Sequence, residues 1–304
     1  MASKNSWHVT VFILILTCLI TVPRAESDES DTRPTFRVGV ETVFINVTVT
    51  DSLNRYIGGL DQESFRILED TVEQSITHFV EESAPVSLGI LFDISASMKR
   101  NIQSARRSVL GFLQFGTPDD EFFLVSFNQK TTLVQGFTRQ AASLERSISS
   151  IKPRGRTALY DAVHLGMEEI QVAKNRKSAL ILITDGEDNS SRHTAAEVRA
   201  LASESGAPIY AIGEKGKLGY GHQEIQGLSD LTGGRAFFPQ TFSQLDYYVD
   251  LIRSELTHQY VLGYTPVNKA RDGKWRKLQV KLAVPEGFSK MIVRTRQGYF
   301  ASKE

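Results

Sequence analysis

Between positions 36 and 80 the chain is rich in β-branched residues, and Val43, Ile45, Val47 and Val49 alternate with Thr42, Asn46, Thr48 and Thr50. A period of two places one set on a buried sheet face and the other toward solvent. Turn signals follow at 51–54 and at Gly58-Gly59, after which 65–69 and 75–79 read as further strands. So few strands cannot close a sandwich alone. The middle of the chain changes character: apolar runs at 86–92, 122–127, 179–184 and 208–212 are separated by helical patterns. Helical spacing shows in Ile102, Ala105, Val109, Phe112 and Leu113, in Leu159, Val163, Met167 and Ile170, and in Leu245, Tyr248, Val249 and Ile252. Core packing accounts for all of them. Strands return at Gln259–Tyr264, 278–283 and 291–295, with Asp272-Gly273 expected as a hairpin turn. The pattern predicts an α/β fold with a doubly wound, mostly parallel sheet over 85–257. Segments 36–84 and 258–304, each too small for its own core, are expected to pair into a flanking β-sandwich-like subdomain.

Ahead of these elements, Lys4 precedes an almost unbroken apolar run from position 9 to 22, and Ala25 stands before the acidic, Ser-rich run 26–31. That order predicts a signal peptide over 1–25, a disordered linker over 26–35 and an exported chain, periplasmic, cell-surface or secreted. An uncleaved membrane anchor is the competing reading, although roughly 20 apolar residues are needed to span a bilayer. The single cysteine, Cys18, lies within that run and would leave with it, so no disulfide is expected in the mature chain. A lipid-modified Cys18 is disfavoured because Ile15, Leu16 and Thr17 are not the small residues such a site needs. The 304 residues are 41% hydrophobic and 23% charged, enough to bury a full-sized core. Lys+Arg and Asp+Glu both number 35. No basic field exists to attract nucleic acid.

The chemistry sits where strands end. The run 86–92 delivers Asp93-Ile94-Ser95-Ala96-Ser97, with helix signals from Met98 onward. The run 179–184 delivers Asp185, followed by Gly186, Glu187, Asp188 and Asn189. Between them, Gly155-Arg156-Thr157 places a hydroxyl on a tight loop leading into a helix. Ligands of open parallel sheets bind outside the carboxyl ends of the strands, where strand order reverses. Asp93, Ser95, Ser97, Thr157 and Asp185 thus form an oxygen-only set of two carboxylates and three hydroxyls. Such hard donors suit Mg²⁺ best, then Mn²⁺ or Ca²⁺, and zinc poorly. Two carboxylates only balance a dication, so a solvent position on it could accept a partner's carboxylate. The competing reading makes the hydroxyls helix caps and nothing more.

In this order and at these positions the five residues resemble the metal-ion-dependent adhesion site of von Willebrand factor type A domains and integrin inserted domains. The similarity covers about 86–256, and Arg156-Thr157-Ala158-Leu159-Tyr160-Asp161 and Thr184-Asp185-Gly186 look like the family's surroundings for the later segments. The whole chain, with 260–264 and Gly298-Tyr299, is similar to exported A-domain-related proteins of certain bacteria, notably acidobacteria. The resemblance implies a non-enzymatic binding module. It would use a divalent cation to hold an exposed Asp or Glu of a protein partner, with Arg154, Arg156 and 187–191 as a selecting rim. In the family's integrin members ion occupancy is relayed to the last helix of the domain, which here resembles 243–255.

Other signals carry less. The Gly- and Lys-rich run 213–219 has Leu218 where a phosphate loop needs Ser or Thr. Ser95 stands where an aspartyl-phosphate transferase would want a second carboxylate, so Asp93 is a poor nucleophile. His193 and Glu197 are one helical turn apart without a second zinc-protease His, and His164, His222 and His258 read as isolated. No serine-hydrolase elbow exists. Sequons at Asn46 and Asn189 read as chance. A metal-dependent hydrolase and a cell-envelope scaffold with a vestigial metal site remain the alternatives. Oligomeric state and partner identity are not encoded legibly.

Overall fold

Val43, Ile45, Val47 and Val49 are all buried in one strand, as the alternation requires, but Thr48 and Thr50 of the polar set are buried as well. A computed structural model of the protein describes residues 42–114, 116–214, 221–241, 244–283 and 290–303. The expected leader and linker lie outside the described residues, and Val40–Glu304 forms one compact unit.

Strand β1 (Val43–Thr50) is followed by β2 (Phe65–Glu69), β3 (Val72–Gln74) and β4 (Ile76–Glu82). The α/β block then runs β5 (Val86–Asp93), α1 (Ile102–Gln114), β6 (Glu121–Phe127), β7 (Thr131–Thr138), α2 (Ala141–Ser150), α3 (Leu159–Ile170), β8 (Lys177–Thr184), α4 (Ala195–Ser205), β9 (Ile209–Gly213), α5 (Gly221–Thr232), β10 (Arg235–Phe237) and α6 (Leu245–Thr257). The chain ends in β11 (Gln259–Tyr264), β12 (Trp275–Leu282), β13 (Ile292–Arg294) and β14 (Gly298–Phe300).

The two ends of the chain do build one sandwich. One sheet has the order β13-β1-β11-β4 and the other β14-β12-β2-β3, so each mixes strands from both flanks. β1 lies antiparallel on β11 with Ile45 opposite Leu262 and Val47 opposite Tyr260. Between the sheets pack Ile45, Val47, Phe65, Ile67, Tyr260, Leu262 and Tyr264, a core that neither flank could supply alone. The expected hairpin at Asp272-Gly273 is corrected. Gly273 takes a positive φ of 64°, but β11 and β12, on either side of it, belong to different sheets. The turn carries the chain across the sandwich rather than between paired neighbours.

The central sheet has the order β10-β9-β8-β5-β6-β7, parallel except for β7, which runs antiparallel at the edge. β5 is buried at every position because both sheet faces are covered. Ile90 and Phe92 face α1 and α6, whereas Leu91 faces the side of α3. From β5 the chain steps to β6 on one side, and from β8 to β9 and β10 on the other. Strand order therefore reverses between β5 and β8, the point at which open sheets of this kind leave a crevice.

Candidate functional site

At that crevice β5 delivers Asp93 and β8 delivers Thr184 and Asp185. Asp93, Ser95, Thr157 and Asp185 are 0%, 1%, 3% and 1% exposed, while Ser97 is open to solvent. Asp93 accepts from the Ser95 amide through Oδ1 at 2.7 Å and from the Thr184 hydroxyl through Oδ2 at 2.6 Å. The Ser95 and Ser97 hydroxyls lie 2.9 Å apart, and Ser97 Oγ donates to Asp185 Oδ1 at 2.6 Å. Asn101 Nδ2 donates to Asp185 Oδ2 at 3.1 Å and to Glu214 Oε2 at 2.5 Å. Thr157 joins the group beside Gly186: a Cβ there would stand 3.1 Å from Thr157 Oγ1 and 3.6 Å from Ser97 Oγ. The structure thus gathers all five sequence-predicted residues at one end of the sheet.

Whether the hydroxyls are caps is decided by the helix starts. Ser95 begins a 3₁₀ turn, Ala96–Arg100, without a side-chain capping bond, and that turn, not an α-helix, follows the motif until α1 begins. Ala158 precedes α3 and offers no cap. Instead Asp188 Oδ1 accepts from the Leu159 and Tyr160 amides at 2.8 and 3.4 Å. The hydroxyls of Ser95 and Thr157 are therefore not spent on helix ends.

The three loops are locked to one another. The Thr157 amide donates to Asn189 Oδ1 while the Asn189 amide donates to the Thr157 carbonyl, both at 2.9 Å. The Ala96 amide donates to the Gly155 carbonyl at 3.0 Å, and Arg156 Nη2 donates to the Asn189 carbonyl. Gly155 has a φ of 82°, a conformation that favours glycine, and Gln129 lies against it, its Oε1 accepting from the Arg156 amide at 3.0 Å. In the first turn of α3, Asp161 Oδ1 accepts from the Arg192 and His193 amides, each at 3.0 Å, and from His193 Nδ1 at 2.8 Å. His193 also stacks on His164 with centroids 3.9 Å apart, which corrects the reading of these histidines as isolated. Glu197 completes a capping box with Thr194. His258 stacks on Tyr56, and His222 meets the edge of Phe238.

Electrostatically, burial pushes Asp93 up to about 6 against the pull of its bonds to Thr184 and Ser95, with nearby Asp185 adding to the rise. The donor set fits a hard dication. It is all oxygen, it gathers at one point, and it includes a buried carboxylate held by neutral donors that a cation would relieve. Among the described residues no group of three or more His, Cys, Asp or Glu is placed to hold a metal. Sequence reasoning missed Asn101 and Glu214, placed Thr184 only among the surroundings of Asp185, and gave Asp188 and Asn189 no individual role. The phosphate-loop run 213–219 falls mostly outside the described residues.

Residues 88–187, about a third of the chain, match the family model of the von Willebrand factor type A domain. A curated, uncharacterized protein of Synechocystis sp. is 25% identical over 134 residues, 42% of this chain and 32% of that protein. The chain thus spans about a third of that relative's length. Proximal thread matrix protein 1 from the mussel byssus, solved with a zinc-occupied MIDAS motif, aligns at TM-score 0.52 and 19% identity over 62% of this chain and 49% of that one. An aerotolerance-related membrane protein from Bacteroides fragilis aligns at TM-score 0.49 and 18% identity over 56% and 98%. Among the described residues no helix is long and apolar enough to cross a membrane.

Proposed function

We propose that this chain is an extracytoplasmic protein-binding module that uses a divalent cation to hold an acidic residue of its partner. The observation that carries this reading is the convergence of three hydroxyls and two carboxylates at the sheet's switch point, with the start of α3 satisfied by Asp188 and no capping bond made by Ser95. Asp93, Ser95, Ser97, Thr157 and Asp185 would hold the ion. When bound, it would supply a Lewis-acid position for an outside carboxylate. The zinc-occupied motif of the mussel protein supports a divalent ion, and the hard oxygen set favours Mg²⁺, with Mn²⁺ or Ca²⁺ as substitutes. Ser97, exposed, opens the site to a partner. Arg154 and Arg156, also exposed, offer a basic rim to an acidic surface. The apolar leader 9–22 supports export.

Calorimetric titration with Mg²⁺ and Mn²⁺ tests the site. Saturable uptake that Asp93→Ala abolishes is expected, and a Glu-containing peptide should then bind only to the loaded protein and leave on EDTA treatment. No uptake at millimolar metal would overturn the reading. Hydrolysis of a model phosphate ester by the loaded protein would transfer the site to the hydrolase alternative.

A further inference from the structure

Far from the crevice, the sandwich meets the start of β8 and leaves a cavity of about 300 Å³ lined by Phe44, Arg176, Lys177, Ser178, Ser205 and Arg296, among others. An adjoining hollow shares Phe44, Asn46, Gly206 and Arg296 and adds Thr48, Thr232 and Gln259. Three lining residues are cationic, and none of the described residues lining either space is acidic. Lys177 is buried and its ammonium donates to the Thr257 carbonyl at 3.4 Å. Arg176 is exposed and lies over the Phe44 ring at 5.6 Å. Arg296 gives one Nη2 bond to the Phe44 carbonyl at 3.0 Å, yet its Nε–H is buried with no acceptor. That Nε is closed off from a ligand, so an arriving oxyanion would pair with the guanidinium charge through its other nitrogens. Opposing this, α4 ends at the rim, but a helix terminus amounts to roughly half a negative charge against full positive ones. The volume reaches the lower range of small-molecule sites, larger than a lone phosphate needs, and Phe44 and Val261 give an apolar wall.

We propose that this cavity binds a small organic anion, a phosphate or carboxylate compound with a compact apolar part, seated between sandwich and α/β block. Arg176 and Arg296 grip the oxyanion, Ser178 and Ser205 flank it, and Phe44 meets the apolar part. The site is separate from the proposed cation site. The eight-residue strand β8 begins at the cavity and ends at Thr184, next to Asp185, a span of roughly 23 Å at about 3.3 Å per residue.

The probes are inorganic phosphate, phenyl phosphate and benzoate, titrated into the metal-free full-length protein and followed by calorimetry and thermal melting. Saturable binding of phenyl phosphate or benzoate is expected, tighter than that of inorganic phosphate. The tighter of the two identifies the head group. Arg176→Gln and Arg296→Gln should each weaken binding about tenfold, the loss of one charge-assisted contact. Arg176 is exposed, so its variant folds even if that of Arg296 does not, and Ser205→Asp should abolish binding by placing a carboxylate in the cavity. Asp93→Ala should leave binding unchanged, which separates this inference from the fate of the cation site. Absence of saturation with all three probes, or unchanged binding in both Arg176→Gln and Ser205→Asp, would overturn it.

Discussion

Two carboxylates are buried at opposite ends of the α/β block, and they are neutralised in opposite ways. Glu255, near the end of α6, is 2% exposed and has Arg235 Nη1 at 3.0 Å and Arg294 Nη1 at 3.9 Å from Oε1. Those arginines also donate to Asn54 Oδ1 at 2.7 Å and Thr50 Oγ1 at 3.1 Å, so the last helix is tied to the sandwich through charge. Asp93, 0% exposed, is held among the described residues by neutral donors, the Ser95 amide and the hydroxyls of Thr184 and Ser95, and burial pushes it up to about 6. A buried charge balanced from within is a structural device. One left to neutral donors is prepared for a cation from outside.

The sharpest way to break this contrast is to remove each acid in turn. Glu255→Ala leaves two arginines near an uncompensated hole and should cost about 3–5 kcal/mol of stability, read as a lower urea midpoint at neutral pH. Asp93→Ala should do the reverse: metal-free stability within about 1 kcal/mol of wild type, because no internal cation loses its partner. Its loss falls on metal uptake instead, at least about 100-fold in affinity by calorimetry, equivalent to about 2.7 kcal/mol. Equal destabilisation by the two substitutions would erase the distinction.

A smaller effect is expected at Asn101, which bridges Asp185 and Glu214. Groups that orient ligands are worth about 10–100-fold in metal affinity. Asn101→Ala should therefore weaken Mn²⁺ binding by about tenfold without moving the urea midpoint appreciably. A midpoint shift with unchanged metal affinity would make the bridge purely structural.

Why Asn101 was illegible while Asp93 was not follows from distance along the chain. Asp93 and Asp185 each stand at the end of an apolar run, and a spacing rule marks them locally. The bonds of Asn101 join positions 84 and 113 residues away, which no local pattern encodes. The fold was legible for the same reason. β1, β5 and β8 bury whole faces, so their periodicity or continuous apolar run survives in the sequence. β7 stayed hidden because it is a half-buried edge strand with an irregular register. β3, β10 and β14 are three residues each, too short for a period to show, whereas β13, equally short, falls within the strand expected at 291–295. At Asp272-Gly273 the local turn chemistry was right, and only the tertiary choice of sheet made it something other than a hairpin.

A third acid stands between the two extremes. Asp161 sits at the same sheet end as Asp93, yet its carboxylate is held from within the fold. Burial would raise it, but the amides of His193 and Arg192 and the His193 ring outweigh burial and hold it below the usual carboxylate range. Because the folded value lies under the unfolded one, about 3.9, its contribution to stability is complete above that pH and is lost as the pH falls through the folded value. Asp161→Asn removes the titrating group, so the stability difference between wild type and variant should shrink as the pH is lowered from 6 toward the acid limit of folding. Urea denaturation across that window checks it, and the effect should be the smallest of the four, since one short loop is at stake. A difference constant with pH would mean that the Asp161 clasp on the 185–194 loop does not depend on charge, and the loop that positions Asn189 against Thr157 would then rest on its backbone pairing alone.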